Sequence, residues 1–199
     1  MNFSNVIADP QYPLVIDTSV VVNLNACSFG TQILQAVPNK IIVAQIAADE
    51  LKAGTSDQIF LNDVVEAQLI ELSDLSTDEF EIYGKIVGKL GDGESATIAV
   101  ALKRQIFPII DDIKARDKTA ELLPELEPGW SLDLLRHQHV LVQLGSPGDV
   151  DAIFMALFGG RMRVPNDKTE EVIQLIGEDR AKECRSLPGY TKRFGKHVA

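Results

Sequence analysis

Four short groups of acidic residues, each at the edge of an apolar stretch, carry most of the chemistry that this sequence offers. They are Leu14-Val15-Ile16-Asp17-Thr18-Ser19, Ala48-Asp49-Glu50-Leu51, Gly91-Asp92-Gly93-Glu94-Ser95-Ala96 and Ile109-Ile110-Asp111-Asp112. A carboxylate beside buried surface is costly unless a partner compensates its charge, and a divalent cation is a common partner. Because no Cys or His lies among them, these oxygen ligands suit Mg²⁺ or Mn²⁺ rather than zinc. The pattern predicts one pocket that collects acids from distant segments around such an ion.

Carboxylates that hold one or two such ions support a particular reaction. The ion lowers the pKa of a bound water molecule and holds a phosphodiester for in-line attack. Without metal, the same acids repel an anionic substrate, so we expect activity to depend strictly on added cation. The predicted chemistry is therefore metal-assisted hydrolysis.

The first two acidic groups also have plainer structural interpretations. Asp17, Thr18 or Ser19 can simply cap the helix that follows. Glu50 lies four residues after Ile46, so it is either directed inward with that residue or solvated at the edge of the apolar stripe. The sequence leaves both alternatives open.

The last two acidic groups also have both a functional and a structural interpretation. Glu94 shares a helix face with Ile98, but it also lies in a first turn, where the helix dipole favours negative charge. Asp111 and Asp112 can start a helix, although adjacent carboxylates repel each other without a cation or a basic partner. Lys114 and Arg116 either neutralise this pair or contact a substrate phosphate.

Alternating strands and helices must position these acids. Strands are predicted over about 12–16, 40–44, 67–72 and 107–110, and helices over about 19–36, 45–53, 77–89 (with Ser76 or Thr77 as its cap), 93–105, 113–122, 149–158 and 168–186, with a turn or linker at 145–148. This alternation predicts a mainly parallel sheet of four to five strands with helices on both faces. In such sheets ligands gather at the carboxyl ends of the strands, which is where Asp17, Asp111 and Asp112 fall.

Length and composition bound the fold and its setting. The chain has 199 residues, 45% of them hydrophobic, which is enough for one domain or for one domain with an extension. No apolar run approaches the roughly 18 residues that span a bilayer, and residues 1–5 lack the features of a signal peptide. Cys27 and Cys184 are too few to predict a disulfide framework, so a reducing cytoplasmic setting is the expectation.

The net charge of −10 argues against a protein that simply coats nucleic acid. The charge is uneven, since residues 180–199 carry six Lys and Arg residues against Glu183 alone, a net of +5. This basic tail is either a solvated C-terminal helix or an arm that contacts RNA or a protein partner.

The order of the acidic motifs leads to a family. The relevant segments are Ile16-Asp17-Thr18-Ser19-Val20, Glu50-Leu51, Gly93-Glu94-Ser95-Ala96-Thr97-Ile98-Ala99-Val100-Ala101 and Ile110-Asp111-Asp112-Ile113-Lys114-Ala115-Arg116, with a weaker match at Phe158-Gly159-Gly160-Arg161-Met162-Arg163-Val164. Together they resemble the PIN domain, and in particular its prokaryotic, toxin-type nucleic-acid-binding subgroup. The resemblance covers about residues 13–120.

This resemblance implies a three-layer α/β/α fold over residues 1–124, with residues 125–199 as an α-rich extension packed on it. It implies a ribonuclease that cleaves RNA through a metal-activated water, often as the toxin of a toxin–antitoxin pair. The metal-site positions would be Asp17, Glu50, Glu94 and Asp112, with Asp111 as the alternative to Asp112. Thr18 or Ser19 would supply a supporting hydroxyl, and both are candidate substrate contacts together with Lys114 and Arg116.

The resemblance also implies partners. An RNA substrate, an antitoxin protein and a second copy of the chain are expected, and a membrane is not. The third acid is Glu94 where Asp is commoner in the family, and the chain is longer and more acidic than a minimal toxin.

Other features are weaker. A catalytically inactive PIN-like module that binds a protein or RNA partner is the main alternative, and the net charge favours it. A receiver-like phosphoacceptor domain is disfavoured because its paired acids should follow the first strand. His137 and His139 are too few for a metal site, and Trp130 and the phenylalanines are expected in the core rather than on a stacking platform.

Overall fold

The computed structural model describes Ile7 and residues 12–195, and its centre is a parallel β-sheet. The strands are β1 (Leu14–Ile16), β2 (Ile41–Ala44), β3 (Glu71–Ser73) and β4 (Phe107–Ile109), in the order β3-β2-β1-β4. Every residue of β1, β2 and β4 is buried, as expected of apolar strands covered on both faces. Leu14 lies opposite both Ile41 and Phe107, and Pro108 is accommodated because β4 is the last strand of the sheet.

Helices surround this sheet. They are α1 (Thr18–Ala26), α2 (Gly30–Ala36), α3 (Gln45–Asp49), α4 (Ser56–Glu66), α5 (Thr77–Ile86), α6 (Asp92–Arg104), α7 (Ile113–Leu122), α8 (Ser131–Leu135), α9 (Gln138–Phe158), α10 (Thr169–Ile176), α11 (Glu178–Ala181) and α12 (Tyr190–Phe194), with a 3₁₀ turn at Asn166–Lys168.

The strand order determines which helices share a face. Right-handed crossovers place α1, α2 and α4 on one face and α5 and α6 on the other. The contacts agree, because α6 packs on β1, β2 and β4 whereas α1 packs on α2, α4 and α9. The predicted α/β/α class with a parallel sheet and a helical C-terminal part is therefore confirmed.

Several predicted boundaries were wrong. The helix expected over 19–36 is two helices, because Ser28 has a positive φ of 62° that ends α1. The strand expected over 67–72 begins only at Glu71, since the missed helix α4 and its turn occupy the preceding residues. The helix expected over 168–186 breaks at Gly177, where φ is 87°.

Two smaller expectations were met. The predicted cap of α5 is a capping box, in which Ser76 Oγ accepts from the Glu79 N–H and Glu79 Oε2 accepts from the Ser76 N–H. Cys27 and Cys184 are both buried free thiols. The expectations for residues 1–5, and the part of the basic tail at 196–199, lie outside the described residues.

The segment after residue 124 returns to the sheet. The Gly129 N–H donates to Pro108 O, and its carbonyl accepts from the Ile110 N–H, so this loop extends the edge of β4. Leu132, Ile153 and Ala156 belong to the same buried cluster as the strands. The division at residue 124 stays a prediction, and the two parts share one core.

Helix α9 is the one described helix whose length and composition would allow it to cross a membrane. Its backbone is interrupted, because Gly145 and Ser146 have non-helical dihedral angles at the turn predicted over 145–148. Neither half then reaches the length of about 20 residues that a bilayer requires. Asp149 and Asp151 in the second half pair with Arg136 and Arg180, so we interpret α9 as a helix that packs against α1, α2 and α8.

Candidate active site

Asp17 lies at the carboxyl end of the central strand β1. Its N–H donates to Ile109 O on β4, which fixes the backbone at the junction with α1. Its Oδ2 accepts a 2.7 Å hydrogen bond from Ser19 Oγ, and only 3% of the residue is exposed. Burial raises the pKa of Asp17 to about 6, with smaller contributions from the charges of Asp111 and Glu50, while the Ser19 hydrogen bond opposes the shift. This carboxyl group is therefore poorly compensated by the protein.

Glu50 follows α3 and is held against the first turn of α6. Its Oε1 accepts a 2.7 Å bond from the Gly93 N–H, and its Oε2 lies 2.9 Å from Thr18 Oγ1, which is also 2.8 Å from Ala47 O. A Cβ on Gly93 would lie 2.5 Å from Glu50 Oε2, so only glycine allows this approach. Thr18 and Gly93 thus orient the Glu50 carboxylate.

Glu94 lies in the first turn of α6, where its Oε2 accepts a 3.0 Å bond from the Gly91 N–H. Burial raises the pKa of Glu94, and the negative charges of Asp112, Asp17 and Glu50 raise it further against the Gly91 bond. Glu94 is therefore the carboxyl group whose pKa is raised by the charges of all three other predicted ligands, in addition to its burial.

The two adjacent aspartates that follow β4 lie in different environments. Asp111 is 2% exposed, and its carboxylate accepts bonds from the Asn23 amide at 2.6 Å, the Ser131 hydroxyl at 2.7 Å and the Ser131 N–H at 2.8 Å. Burial nevertheless raises the pKa of Asp111 to about 6. All of these hydrogen-bonding partners are inside the protein, which is the arrangement of a structural carboxylate.

Asp112 is the N-cap of α7 and is partly exposed. Its Oδ1 accepts from the N–H groups of Lys114 and Ala115, and its Oδ2 accepts a 2.6 Å bond from the guanidinium of Arg163. Burial alone would raise the pKa of Asp112, but these bonds and the Arg163 charge together lower it. Asp112 therefore remains ionised beside a cation.

The two predicted basic substrate contacts have different environments. Lys114 is exposed at the start of α7. Arg116 is only 8% exposed, because it donates to the carbonyl oxygens of Ile110, Gly129 and Pro128 and its guanidinium lies 3.7 Å from the ring centre of Trp130. These contacts tie the loop after α7 to the strand end, so Arg116 is built into the frame of the site.

Three residues that sequence reasoning missed complete the site. Asn23 is a buried amide on the apolar face of α1 between Val20 and Leu24, and that pattern was visible in the sequence. Ser131 and Arg163 lie far along the chain from Asp111 and Asp112, so local patterns gave no sign of Ser131, and the weaker motif match at 158–164 contained Arg163 without indicating its pairing with Asp112. A Cβ on Gly160 would lie 2.5 Å from Asn23 Oδ1, which shows how closely the C-terminal part approaches α1.

The donor set suits a hard divalent cation in its chemistry, because it consists of carboxylate oxygens. The side chains are not gathered on one point, however. No set of three His, Cys, Asp or Glu side chains within Ile7 and residues 12–195 lies close enough to hold an ion. Glu50 is bonded to the Gly93 N–H and Asp112 to Arg163, so each of these two carboxylates is engaged by another partner in the present arrangement.

A comparison with family models decides the assignment. A model described as PIN domain matches residues 13–178, which is most of the chain. The chain belongs to the PIN-domain family. The match runs from β1 through the first residue of α11, and it includes all four predicted acids of this PIN domain: Asp17 and Asp112 follow β1 and β4, Glu50 follows α3, and Glu94 lies in the first turn of α6. Neither the curated proteins nor the solved structures that were compared with the chain give a match.

Two sequence expectations about other side chains need correction or comment. Phe80 and Phe158 are 52% and 53% exposed, so the phenylalanines are not all in the core of this PIN domain. His137 is buried with its ring centre 5.1 Å from that of the exposed His139, and burial lowers the pKa of His137. Neither histidine belongs to a group that could hold a metal among the described residues.

Proposed function

We propose that this PIN domain is a metal-dependent ribonuclease that hydrolyses RNA phosphodiester bonds. Asp17, Glu50, Glu94 and Asp112 would hold Mg²⁺ or Mn²⁺. The observation that carries the proposal is the placement of Glu94 in the first turn of α6, beside the Gly93 N–H that holds Glu50; burial raises the pKa of Glu94, and the charges of the other three carboxylates raise it further. A cation relieves such repulsion, and carboxylates that converge without one are otherwise unfavourable.

The chain's own residues have definite tasks in this reaction. Ser19 orients Asp17, Thr18 and the Gly93 N–H orient Glu50, and the N-terminus of α7 orients Asp112. These are positioning contacts, so the hydroxyls of Thr18 and Ser19 act on carboxylates rather than on RNA. The Gly91 N–H holds Glu94 Oε2, and Glu94 Oε1 would accept the proton of the attacking water.

When bound, the ion would supply a water of lowered pKa and would stabilise charge on the phosphate oxygens. Of the two basic side chains predicted to contact the substrate, the exposed Lys114 would do so from the start of α7. Arg116 would act indirectly, since its donors are committed to carbonyl oxygens.

The test is cleavage of labelled RNA with Mn²⁺ and with EDTA. Wild-type protein should cleave only with Mn²⁺, and Asp17→Asn should lose this activity because a neutral amide is a poor ligand for a hard cation. Asp78→Asn is the matched control, since it makes the same change at an exposed carboxylate on α5 that pairs with Lys103. Cleavage that persists in EDTA or in Asp17→Asn would contradict the proposal and indicate a contaminating nuclease.

We also propose that the enzyme acts in the cytoplasm as the toxin of a toxin–antitoxin pair, bound by an antitoxin and able to form a homodimer. Its motif resemblance to the toxin-type subgroup supports this role. Expression of the chain alone should arrest growth, and co-expression of a small protein encoded by a neighbouring gene should restore it. Arrest that also occurs with Asp17→Asn would contradict a nuclease toxin.

The second candidate is a catalytically inactive PIN module that binds a protein or RNA partner. The ion pair between Arg163 and Asp112 favours it, because a cation already compensates one predicted ligand. Isothermal titration with Mn²⁺ distinguishes the two candidates. Binding that disappears in Asp17→Asn supports the nuclease, and the absence of binding supports the inactive module.

A further inference from the structure

An exposed aromatic stack marks the end of α9. Phe158 is 53% exposed, and its ring lies nearly parallel to that of Phe154, with centres 5.7 Å apart and planes 20° apart. The Arg180 guanidinium lies 5.0 Å from the Phe154 ring and also pairs with Asp151. Arg180 thus packs against the Phe154 ring of the stack, and the apolar Phe158 ring remains in contact with solvent.

Two arginines line the cavity beside this ring. The cavity has a volume of about 670 Å³, and its walls include Phe158, Arg161 and Arg185 together with the acidic Glu183. Both arginines are exposed, and neither forms an ion pair with another described residue. By contrast, the nearby Arg180 and Arg193 are paired with acids. Arg161 and Arg185 are therefore cations that remain available to an anionic ligand.

The backbone at Arg161 is unusual. Its φ of 57° is in the left-handed region, which side chains other than Gly, Asn and Asp seldom adopt. The two preceding residues, Gly159 and Gly160, pack closely against α9 and Asn23, so the chain must turn sharply here. This turn places Arg161 on the wall of the cavity.

A second cavity lies beside the first, on the side of Arg163. Ser186 lines both cavities, and the second has a volume of about 680 Å³ and walls that also include Ile113 and Arg163. Arg163 donates to Asp112 at 2.6 Å. The two cavities therefore share Ser186 in their walls, and together their surfaces form a path from Phe158, Arg161 and Arg185 to Arg163, which pairs with a predicted metal ligand.

We propose that this path, made of Phe158, Arg161, Arg185 and Arg163, binds single-stranded RNA and leads it to the acidic site. A base would stack on Phe158, and Arg161 and Arg185 would contact the phosphates. An exposed ring flanked by guanidinium groups that have no ion-pair partner among the described residues fits an unstacked base with its phosphates better than it fits acidic side chains, whose carboxylates would leave the ring uncovered. The assignment rests on the proposed ribonuclease function and names the route of its substrate.

The test measures the binding of a short fluorescein-labelled single-stranded RNA by anisotropy, with Asp17→Asn as the parent so that the probe stays intact. Arg161→Gln and Arg185→Gln should each weaken binding and lower the slope of log affinity against log salt by about 0.7, as expected for one lost phosphate contact. Phe158→Leu should weaken binding at least about fivefold, whereas Phe158→Tyr should retain it because the ring remains.

Lys40→Gln is the matched charge control. It removes one positive charge at the amino end of β2, on the edge of the sheet opposite the acids, where Lys40 forms an exposed pair with Glu71. This variant should bind RNA like the parent. Since all the substituted side chains are exposed or on the surface of a cavity, circular dichroism melting curves should match the parent as well.

The outcomes separate the two proposals. If wild-type protein cleaves RNA but the arginine and Phe158 variants bind with the affinity and salt slope of Lys40→Gln, this path is wrong and the ribonuclease stands. If wild-type protein does not cleave and the parent does not bind, both are wrong. If the parent binds RNA through these residues without wild-type cleavage, the path stands and the enzyme assignment falls.

Discussion

Substituting alanine for Gly93 should disturb the site far more than it disturbs the fold. A Cβ at this position would lie 2.5 Å from Glu50 Oε2, 2.8 Å from Glu50 Cδ and 2.8 Å from Thr18 Oγ1. These atoms are the ends of side chains, so the carboxylate can move away at moderate cost. Moving it breaks the bonds that Glu50 accepts from the Gly93 N–H and from Thr18 Oγ1.

The expected change in the free energy of unfolding of Gly93→Ala is the sum of opposing contributions. Replacing a helical glycine with alanine stabilises a helix by about 0.5–1 kcal/mol. Losing two hydrogen bonds costs about 0.5–1.5 kcal/mol each. We therefore expect Gly93→Ala to lower the free energy of unfolding by about 1 kcal/mol. Gly84→Ala is the matched control, because Gly84 lies within α5 and a Cβ there meets no atom within 4 Å, so it should stabilise by about 0.5–1 kcal/mol.

Urea denaturation measures the stability difference between these variants, and isothermal titration with Mn²⁺ measures their metal binding. Gly93→Ala should lie about 2 kcal/mol below Gly84→Ala in stability. It should also lose most Mn²⁺ binding and cleavage, whereas Gly84→Ala keeps both. If Gly93→Ala bound Mn²⁺ and cleaved RNA like wild type, the contact between Glu50 and α6 would have no part in the site and the reasoning would fail.

Three further predictions concern the aspartates and Arg163. Asp111→Ala should lower the free energy of unfolding by roughly 2–4 kcal/mol in urea denaturation, because the buried N–H and hydroxyl of Ser131 lose their acceptor and the Asn23 amide keeps only Ser131 Oγ; unchanged stability would contradict its structural role. Burial raises the pKa of Asp17 from 3.8 to about 6, so the unfolded chain ionises first and this group stabilises the fold less as pH rises through that window. In EDTA, the free energy of unfolding of Asp17→Asn should therefore increase relative to that of wild type by up to about 3 kcal/mol between pH 4 and pH 7. A pH-independent difference would refute the raised pKa of Asp17. Arg163→Gln should tighten Mn²⁺ binding severalfold in isothermal titration, since it removes the cation that pairs with Asp112, and weaker binding would show that Arg163 supports the site.

The features that the sequence predicted correctly are those with short-range causes. Buried strands such as Leu14–Ile16 are continuous apolar runs, and parallel strands bring their carboxyl ends to one edge. That geometry explains why Asp17 and Asp112 could be placed after β1 and β4 from the sequence. The cap at Ser76 was also predictable, because both of its hydrogen bonds join residues three positions apart.

The features that were missed depend on long-range contacts. Arg116 was expected either to neutralise Asp111 and Asp112 or to contact a substrate phosphate, and the sequence did not predict its acceptors, which include Gly129, 13 positions away. The partner of Asp112 is Arg163, 51 positions away, and that of Glu50 is Gly93, 43 positions away. No local pattern encodes such pairs. Helix α4 is the exception, because its Thr55 cap was a local signal and was overlooked.

The protein compensates the negative charges of the four predicted ligands to different extents. This difference determines which of the carboxylates a bound cation would relieve most. Asp17 and Glu94 are compensated least, since burial raises the pKa of each, and a cation would relieve them first. Glu50 would keep its bond from Gly93 because a carboxylate oxygen has more than one acceptor site. Asp112 alone is paired with a full positive charge. If Asp112 held a metal ion, its oxygen would have to be shared with Arg163 or released by it, and a released guanidinium would lie at the end of the proposed RNA path.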